Sequence, residues 1–279
     1  MYIPVIVLKL FGVAILFLFL IFSVILLDRF LKNYKRKTIL IGNSQKKGKR
    51  QIQEDSFSTF ESENGMIAIV ADGMGGLEYG KVASSTAVKM FIEEYTKEYE
   101  LYDVQKFLIN SAYTANDKIV SMANGRKIGT TLIATIVRDN FLHWISVGDS
   151  RIYLHRKGEL IKLNKEHTYE SVLNNLYENG EISKKVLSEH PQKEFLTSYI
   201  GYEDFHEIDY SRSPIQLSKG DKVVLMSDGI YKSISESEIK EIMSKKCDPD
   251  TKCELITEKI ESKNLSNQDN MTVVVVERK

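Results

Sequence analysis

The chain is poor in cysteine. Cys247 and Cys253 are the only two in 279 residues, too few for a disulfide scaffold, and they lack the partner set of a zinc site. Both read as structural or incidental residues. Internal repeats and low-complexity tracts are missing too, and no second linker follows residue 50, so the remainder reads as one domain. An excess of positive charge is also lacking. Formal net charge is zero, but residues 1–50 hold ten Lys/Arg and one acid, which leaves 28 bases against 37 acids in 51–279. An acidic body argues against a grip on nucleic acid. It is compatible with a carboxylate-rich metal site.

Charge is absent where a cleaved signal peptide would need it. Residues 1–8 carry no charged side chain, and SVILLDRFLKNYKRK offers no small-residue cleavage site. Residues 10–27, LFGVAILFLFLIFSVILL, are 18 uncharged and almost wholly apolar positions, a length that suits a hydrocarbon core of roughly 30 Å. Arg29, Lys32, Lys35, Arg36 and Lys37 follow directly, which by the positive-inside rule puts the rest of the chain in the cytoplasm. The expectation is therefore a single-pass anchor in membrane lipid over 1–27, a basic juxtamembrane linker over 28–49 and a cytoplasmic domain over 50–279.

Short runs rich in Val, Ile and Thr read as strands: MIAIV, TTLIATIV, FLHWISV, RIYLH, KVVLM and MTVVVV. After the first of them, Val82, Met90, Phe91 and Tyr95 recur at helical spacing, and Val104, Phe107, Leu108, Ala115 and Ile119 do so in a second stretch. Residues 169–187 and 235–262 also read as mainly helical. Strand groups with paired helices between them do not alternate as β-α-β does. The pattern predicts an α+β fold with antiparallel sheets and helices packed outside.

Acids fall at the strand ends. Asp72 follows MIAIVA, Asp149 follows FLHWISVG, Asp228 follows KVVLMS, Asp269 precedes NMTVVVV, and Glu54-Asp55 precedes SFSTF. Packed sheets bring strand ends together, so these carboxylates can meet at one rim. Like charges so gathered are costly unless cations neutralise them, and oxygen donors favour magnesium or manganese. Taken singly, each Asp-Gly also reads as a turn. A rival reading makes Gly75 to Lys81 most of a P-loop of a nucleotide hydrolase, with KVVLMSD as its magnesium strand. Against it, Val82 stands where that loop needs Ser or Thr, Glu78 would put an anion in the cradle, and a parallel β-α-β context is missing.

In order along the chain, RQIQED, VADGMGG, GTTL, VGDSRIYL, MSDG and QDNMTVVVV resemble the metal-dependent serine/threonine protein phosphatases of type 2C, over essentially residues 50–277. The segment from NKEHTYESVLNNLYENGEIS to HPQKEFLTSYIG is similar to the variable flap of bacterial members. The resemblance implies a four-layer α-β-β-α sandwich of two antiparallel sheets flanked by helices, here preceded by a transmembrane helix, with two Mn or Mg ions at one end. It implies that Asp72 bridges both ions, the Gly73 carbonyl binds one, and Asp228 and Asp269 hold the other. Glu54 and Asp55 would order water around the ions, Arg50 would bind phosphate, and Asp149 matches the acid of a third, weaker metal site. The implied reaction is hydrolysis of phosphoserine and phosphothreonine in cytoplasmic proteins by an activated water, with no phosphoenzyme. His143 and His155 are then expected to be packing or surface residues. The partners implied are phosphoproteins, with a serine/threonine kinase as the counterpart and no nucleic acid.

The sequence departs from that pattern twice. Met74 stands where animal members carry His, and a thioether cannot donate a proton. Lys232 stands where another acid often completes the third metal site, so a third ion is expected to bind weakly or be replaced. Lys232 is also the one feature that favours an alternative, a catalytically inactive membrane scaffold of the same fold that binds phosphoproteins.

Overall fold

Residues 3–36, 39–75, 79–97 and 101–279 are described by the computed structural model, without the side chains of 3–11, 13 and 30–36. In chain order they form α1 (Ile3–Arg36), β1 (Ile39–Lys46), β2 (Asp55–Ser62), β3 (Gly65–Met74), α2 (Tyr79–Lys97), α3 (Val104–Ala123), β4 (Gly129–Thr130), β5 (Leu132–Arg138), β6 (Phe141–Val147), β7 (Arg151–Arg156) and β8 (Glu159–Lys162). There follow α4 (Tyr169–Glu178), α5 (Lys184–Glu189), β9 (Asp209–Tyr210), β10 (Ile215–Gln216), β11 (Lys222–Met226), α6 (Asp228–Tyr231), α7 (Glu236–Ser244), α8 (Pro249–Ser262) and β12 (Met271–Arg278).

The chain divides into two units, Met1–Ile39 with Lys279, and Leu40–Arg278. In the first, α1 runs for 34 residues and its apolar side chains from Ile15 to Leu27 are exposed. Among the described residues no helix is long and apolar enough to cross a membrane. The span expected over 10–27 includes side chains outside the described set.

The second unit is built on two sheets, one ordered β1-β12-β11-β7-β8 and the other β10-β6-β5-β3-β2, with β4 beside β3 and β9 beside β6. The ladders β11–β12, β11–β7, β2–β3, β3–β5 and β5–β6 are all antiparallel. Period-2 alternation gives each central strand two apolar faces. Ile67, Ile69 and Ala71 of β3 pack with Ala87, Phe91, Leu108 and Ile119 of α2 and α3, while Val224, Val273 and Val275 pack with Ile242, Ile256 and Ile260 of α7 and α8. The alternate residues Ala68, Val70, Val223, Leu225 and Val274 are buried too and face the other way, where β12 meets β2 and β3. Helices thus cover the outer faces of two sheets, the four-layer α+β arrangement the sequence predicts.

One boundary is corrected, and two helical stretches are resolved more finely. The basic linker expected over 28–49 is not a linker throughout, because α1 reaches Arg36 and 39–46 form the edge strand β1 beside β12. Its buried positions are Gly42 and Ser44, which carry no hydrophobic signal, so alternation could not reveal it. The helical stretches 169–187 and 235–262 are each two helices. Asp248, whose carboxylate caps Thr251 N–H, and Pro249 at the first turn restart α8 after α7 has ended.

Candidate active site

Strand register sets the site. Asp55 opens β2 and pairs directly with Asp72 near the end of β3. In the other sheet Met226 faces both Arg151 and Val273, so the residues just beyond these ends, Asp149, Asp228 and Asp269, come to one rim. Gly229 lets two of them approach. A Cβ there would stand 1.9 Å from the Asn270 carbonyl oxygen, so the backbone after Asp228 runs against the backbone after Asp269. An Asp-Gly that reads locally as a turn is a packing requirement here.

The rim forms a cleft of about 370 Å³, lined among others by Arg50, Glu54, Asp72, Asp149, Asp228 and Asp269. Several carboxyls in it and beside it are held in a medium that disfavours their charge. Burial pushes Asp72 well above the usual carboxylate range, helped by Asp55, Asp228 and Asp149. Burial and Asp228 push Asp149 up to about 6 against the opposing pull of Lys232 and Tyr231. Asp55 rises to about 7, chiefly through burial and despite hydrogen bonds from Thr272 and Ser227. The protein's own cations offset part of this charge: Arg50 Nη2 lies 2.6 Å from Asp269 Oδ2, and Lys232 Nζ lies 2.8 Å from Asp228 Oδ2.

The donor set fits hard divalent cations. Its atoms are carboxylate oxygens, and Glu54 Oε1 is buried with no hydrogen-bond partner. Among the described residues no three His, Cys, Asp or Glu side chains close on one point as a finished cage; the acids line the walls of an open cleft instead.

Hydrogen bonds to the backbone fix these walls. Asp72 N–H donates to Thr131 Oγ1 at 3.0 Å, and the Thr130 hydroxyl donates to the Asp72 carbonyl at 2.9 Å. Glu54 N–H donates to Asn270 Oδ1 at 2.8 Å, so the residue after Asp269 positions the residue before β2. Over residues 42–268 the chain matches the family profile described as Protein phosphatase 2C.

The chain belongs to the protein phosphatase 2C family.

This phosphatase is 34% identical over 237 residues to the serine/threonine phosphatase stp of Listeria monocytogenes, covering 82% of this chain and 91% of that one. A serine/threonine phosphatase from S. agalactiae has the same fold, with TM-score 0.76 and 28% identity, over 86% of this chain and 100% of that one. The catalytic domain of the phosphatase PstP, solved in complex with two manganese ions, superposes with TM-score 0.69 at 25% identity, over 86% and 97% of the two chains. The enzyme is accordingly a serine/threonine protein phosphatase acting on phosphoproteins, and metal dependence is general in its family.

The structure brings Arg50, Glu54, Asp72, Gly73, Asp149, Asp228 and Asp269 together in the cleft. Asp55 stands behind it. Its Oδ2 accepts hydrogen bonds from Ser227 Oγ at 2.8 Å and Thr272 Oγ1 at 2.7 Å, tying β2 to the ends of β11 and β12. That contact ties Asp55 to both sheets, while its Oδ1 is buried without a hydrogen-bond partner on the residue paired with Asp72. The P-loop alternative loses its context, since β3 lies between antiparallel neighbours and Lys81 is exposed; Gly76 and Glu78 lie outside the described residues. His155 is a packing residue, buried with Nε2 3.2 Å from Ser244 Oγ. The sequence reading missed Thr131, Asn270, Tyr231 and Glu194. Thr131 and Asn270 lie inside quoted motifs, but their partners exist only once the strands pair. Glu194 lies inside the quoted flap segment, and nothing local marks Tyr231.

Proposed function

We propose that this phosphatase works through two divalent ions, manganese or magnesium, held by Asp72, the Gly73 carbonyl, Asp228 and Asp269. The observation that carries the reading is the meeting of these acids in one cleft with Arg50 and the unpartnered Glu54 oxygen. The ions, when bound, supply a water of lowered proton affinity as nucleophile and neutralise phosphoryl charge. Arg50 has a planar fork of donors, one of them engaged by Asp269, and its remaining edge grips phosphoryl oxygens. Glu54 takes up a proton or a water hydrogen bond on the free Oε1. Met74 lines the same cleft and cannot donate, so the departing seryl or threonyl oxygen takes its proton from water.

The test is phosphate release from a phosphothreonine peptide by the full chain in detergent. Release is expected with manganese, is abolished by EDTA and returns on adding the metal back. Peptide binding with no turnover at saturating metal would overturn the reading in favour of the phosphoprotein-binding scaffold.

The apolar run 10–27 supports a second element of the reading, a single-pass anchor that holds the enzyme at the cytoplasmic face. Leu16, Phe17, Leu18, Phe19 and Leu20 are consecutive and all exposed, so this stretch of α1 is apolar around its whole circumference, the pattern of a helix surrounded by lipid. Residues 1–44 fused to a reporter should carry it to the membrane with the reporter on the cytoplasmic side. A reporter found free of the membrane, or exported, refutes the anchor.

A further inference from the structure

Besides Arg50, the side chain cation that lines the cleft among the described residues is Lys232. Its ammonium lies 2.8 Å from Asp228 Oδ2 and 4.0 Å from Asp149 Oδ2, between carboxylates that follow β11 and β6. Local structure fixes it there. Lys232 ends α6 in right-handed helical conformation with its N–H donating to the Asp228 carbonyl, which makes its side chain and the Asp228 carboxylate neighbours one turn apart. The flap acid Glu194 lines the same cleft and attracts the same ammonium.

The preceding residue acts on the same oxygen. Tyr231 donates its hydroxyl to Asp149 Oδ2 at 3.1 Å. The Arg151 guanidinium covers the Tyr231 ring at 3.7 Å and is itself held by Glu166 at 2.7 Å, so the ring is clamped in its donating pose. An oxygen that accepts an O–H donor and has an ammonium 4.0 Å away has one lone pair engaged and part of its charge offset. It is a poor ligand for a divalent ion, and a tethered positive charge between the two acids repels one.

We propose that Lys232 is this centre's own third cation: with the Tyr231 hydroxyl it fills the space between Asp149 and Asp228 and restricts the enzyme to two divalent ions. Asp149 is then a positioning residue that holds Lys232 and Tyr231 and binds no metal. The assignment rests on the two-ion reading given above.

Metal counting tests it apart from activity. The full chain, in detergent, is dialysed against millimolar manganese and the ions bound per chain are counted. The wild-type protein should bind two. Lys232→Asp should bind three, and Asp149→Asn added to that variant should return the count to two. Lys232→Met, which keeps the length and removes the charge, should admit the third ion about tenfold more weakly than Lys232→Asp, and it gives the answer if the acidic variant does not fold. Three ions in the wild type, or two in both single variants, overturn the assignment of Lys232. No ions in the wild type overturn the two-ion reading itself, and Lys232 with it.

Discussion

Asp72→Asn should lower phosphate release from a phosphothreonine peptide by at least about 10³-fold, roughly 4 kcal/mol of transition-state stabilisation. The amide keeps the shape of the carboxylate and the backbone contacts to Thr130 and Thr131, which use the Asp72 main chain. What it removes is the charge at the point where the other acids converge. The same substitution should act on stability with the opposite sign. Burial and three neighbouring acids raise the Asp72 carboxyl well above its ordinary range. A carboxyl raised on folding favours the folded state at low pH and loses that contribution as pH rises. At neutral pH, with metal chelated, folding must either protonate Asp72 or bury its charge, and both oppose folding. The Asn variant in EDTA should melt above the wild type in EDTA, while manganese should stabilise the wild type more than the variant. Retained turnover, or a variant that melts lower in EDTA, would remove Asp72 from the centre of the site.

Gly42→Ala should cost about 2 to 3 kcal/mol and lower the melting temperature of the Leu40–Arg278 unit by roughly 5 to 10 °C. A Cβ at Gly42 would lie 2.1 Å from both Pro249 C and Asp250 N. These are backbone atoms at the start of α8, so no side chain can swing away. Asn43 N–H also donates to Asp250 Oδ1 at 3.1 Å, and Ser44 Oγ sits 3.0 Å from Thr257 Oγ1, which anchors β1 against the same helix. To make room the strand must leave β12 or α8 must lose its seat. If 28–49 were a solvated linker, alanine there would change nothing. Thermal unfolding followed by circular dichroism distinguishes the two, and an unchanged midpoint would detach β1 from the fold.

Most of the architecture was legible because it follows from local rules. Strands such as KVVLM and MTVVVV, apolar on both faces, must lie between two covered surfaces, and α2 and α3 show their core stripe at helical spacing. What escaped were places where packing uses little hydrophobic surface. Strand β1 meets α8 through Gly42 and Ser44, and close backbone approach leaves no apolar signature. The break between α7 and α8 was similarly hidden, since each half keeps its own helical pattern.

At the site, chemistry along the chain identified the acids, and their positions at strand ends announced a common rim. The sequence could not rank them. Glu54 lines the cleft, whereas one carboxylate oxygen of its neighbour Asp55 is already held by Ser227 and Thr272. Nor could it couple Lys232 and Tyr231 to Asp149, which stands 82 residues before Tyr231 in the chain. By itself the sequence determined most element types and the carboxylate inventory, because propensity, periodicity and residue chemistry are local properties, and its ordered motifs carried the family resemblance. Which carboxylates share a cleft, which one braces the sheets and which already has a cation beside it were decided by the tertiary structure, because charges interact through space and only strand pairing sets those distances.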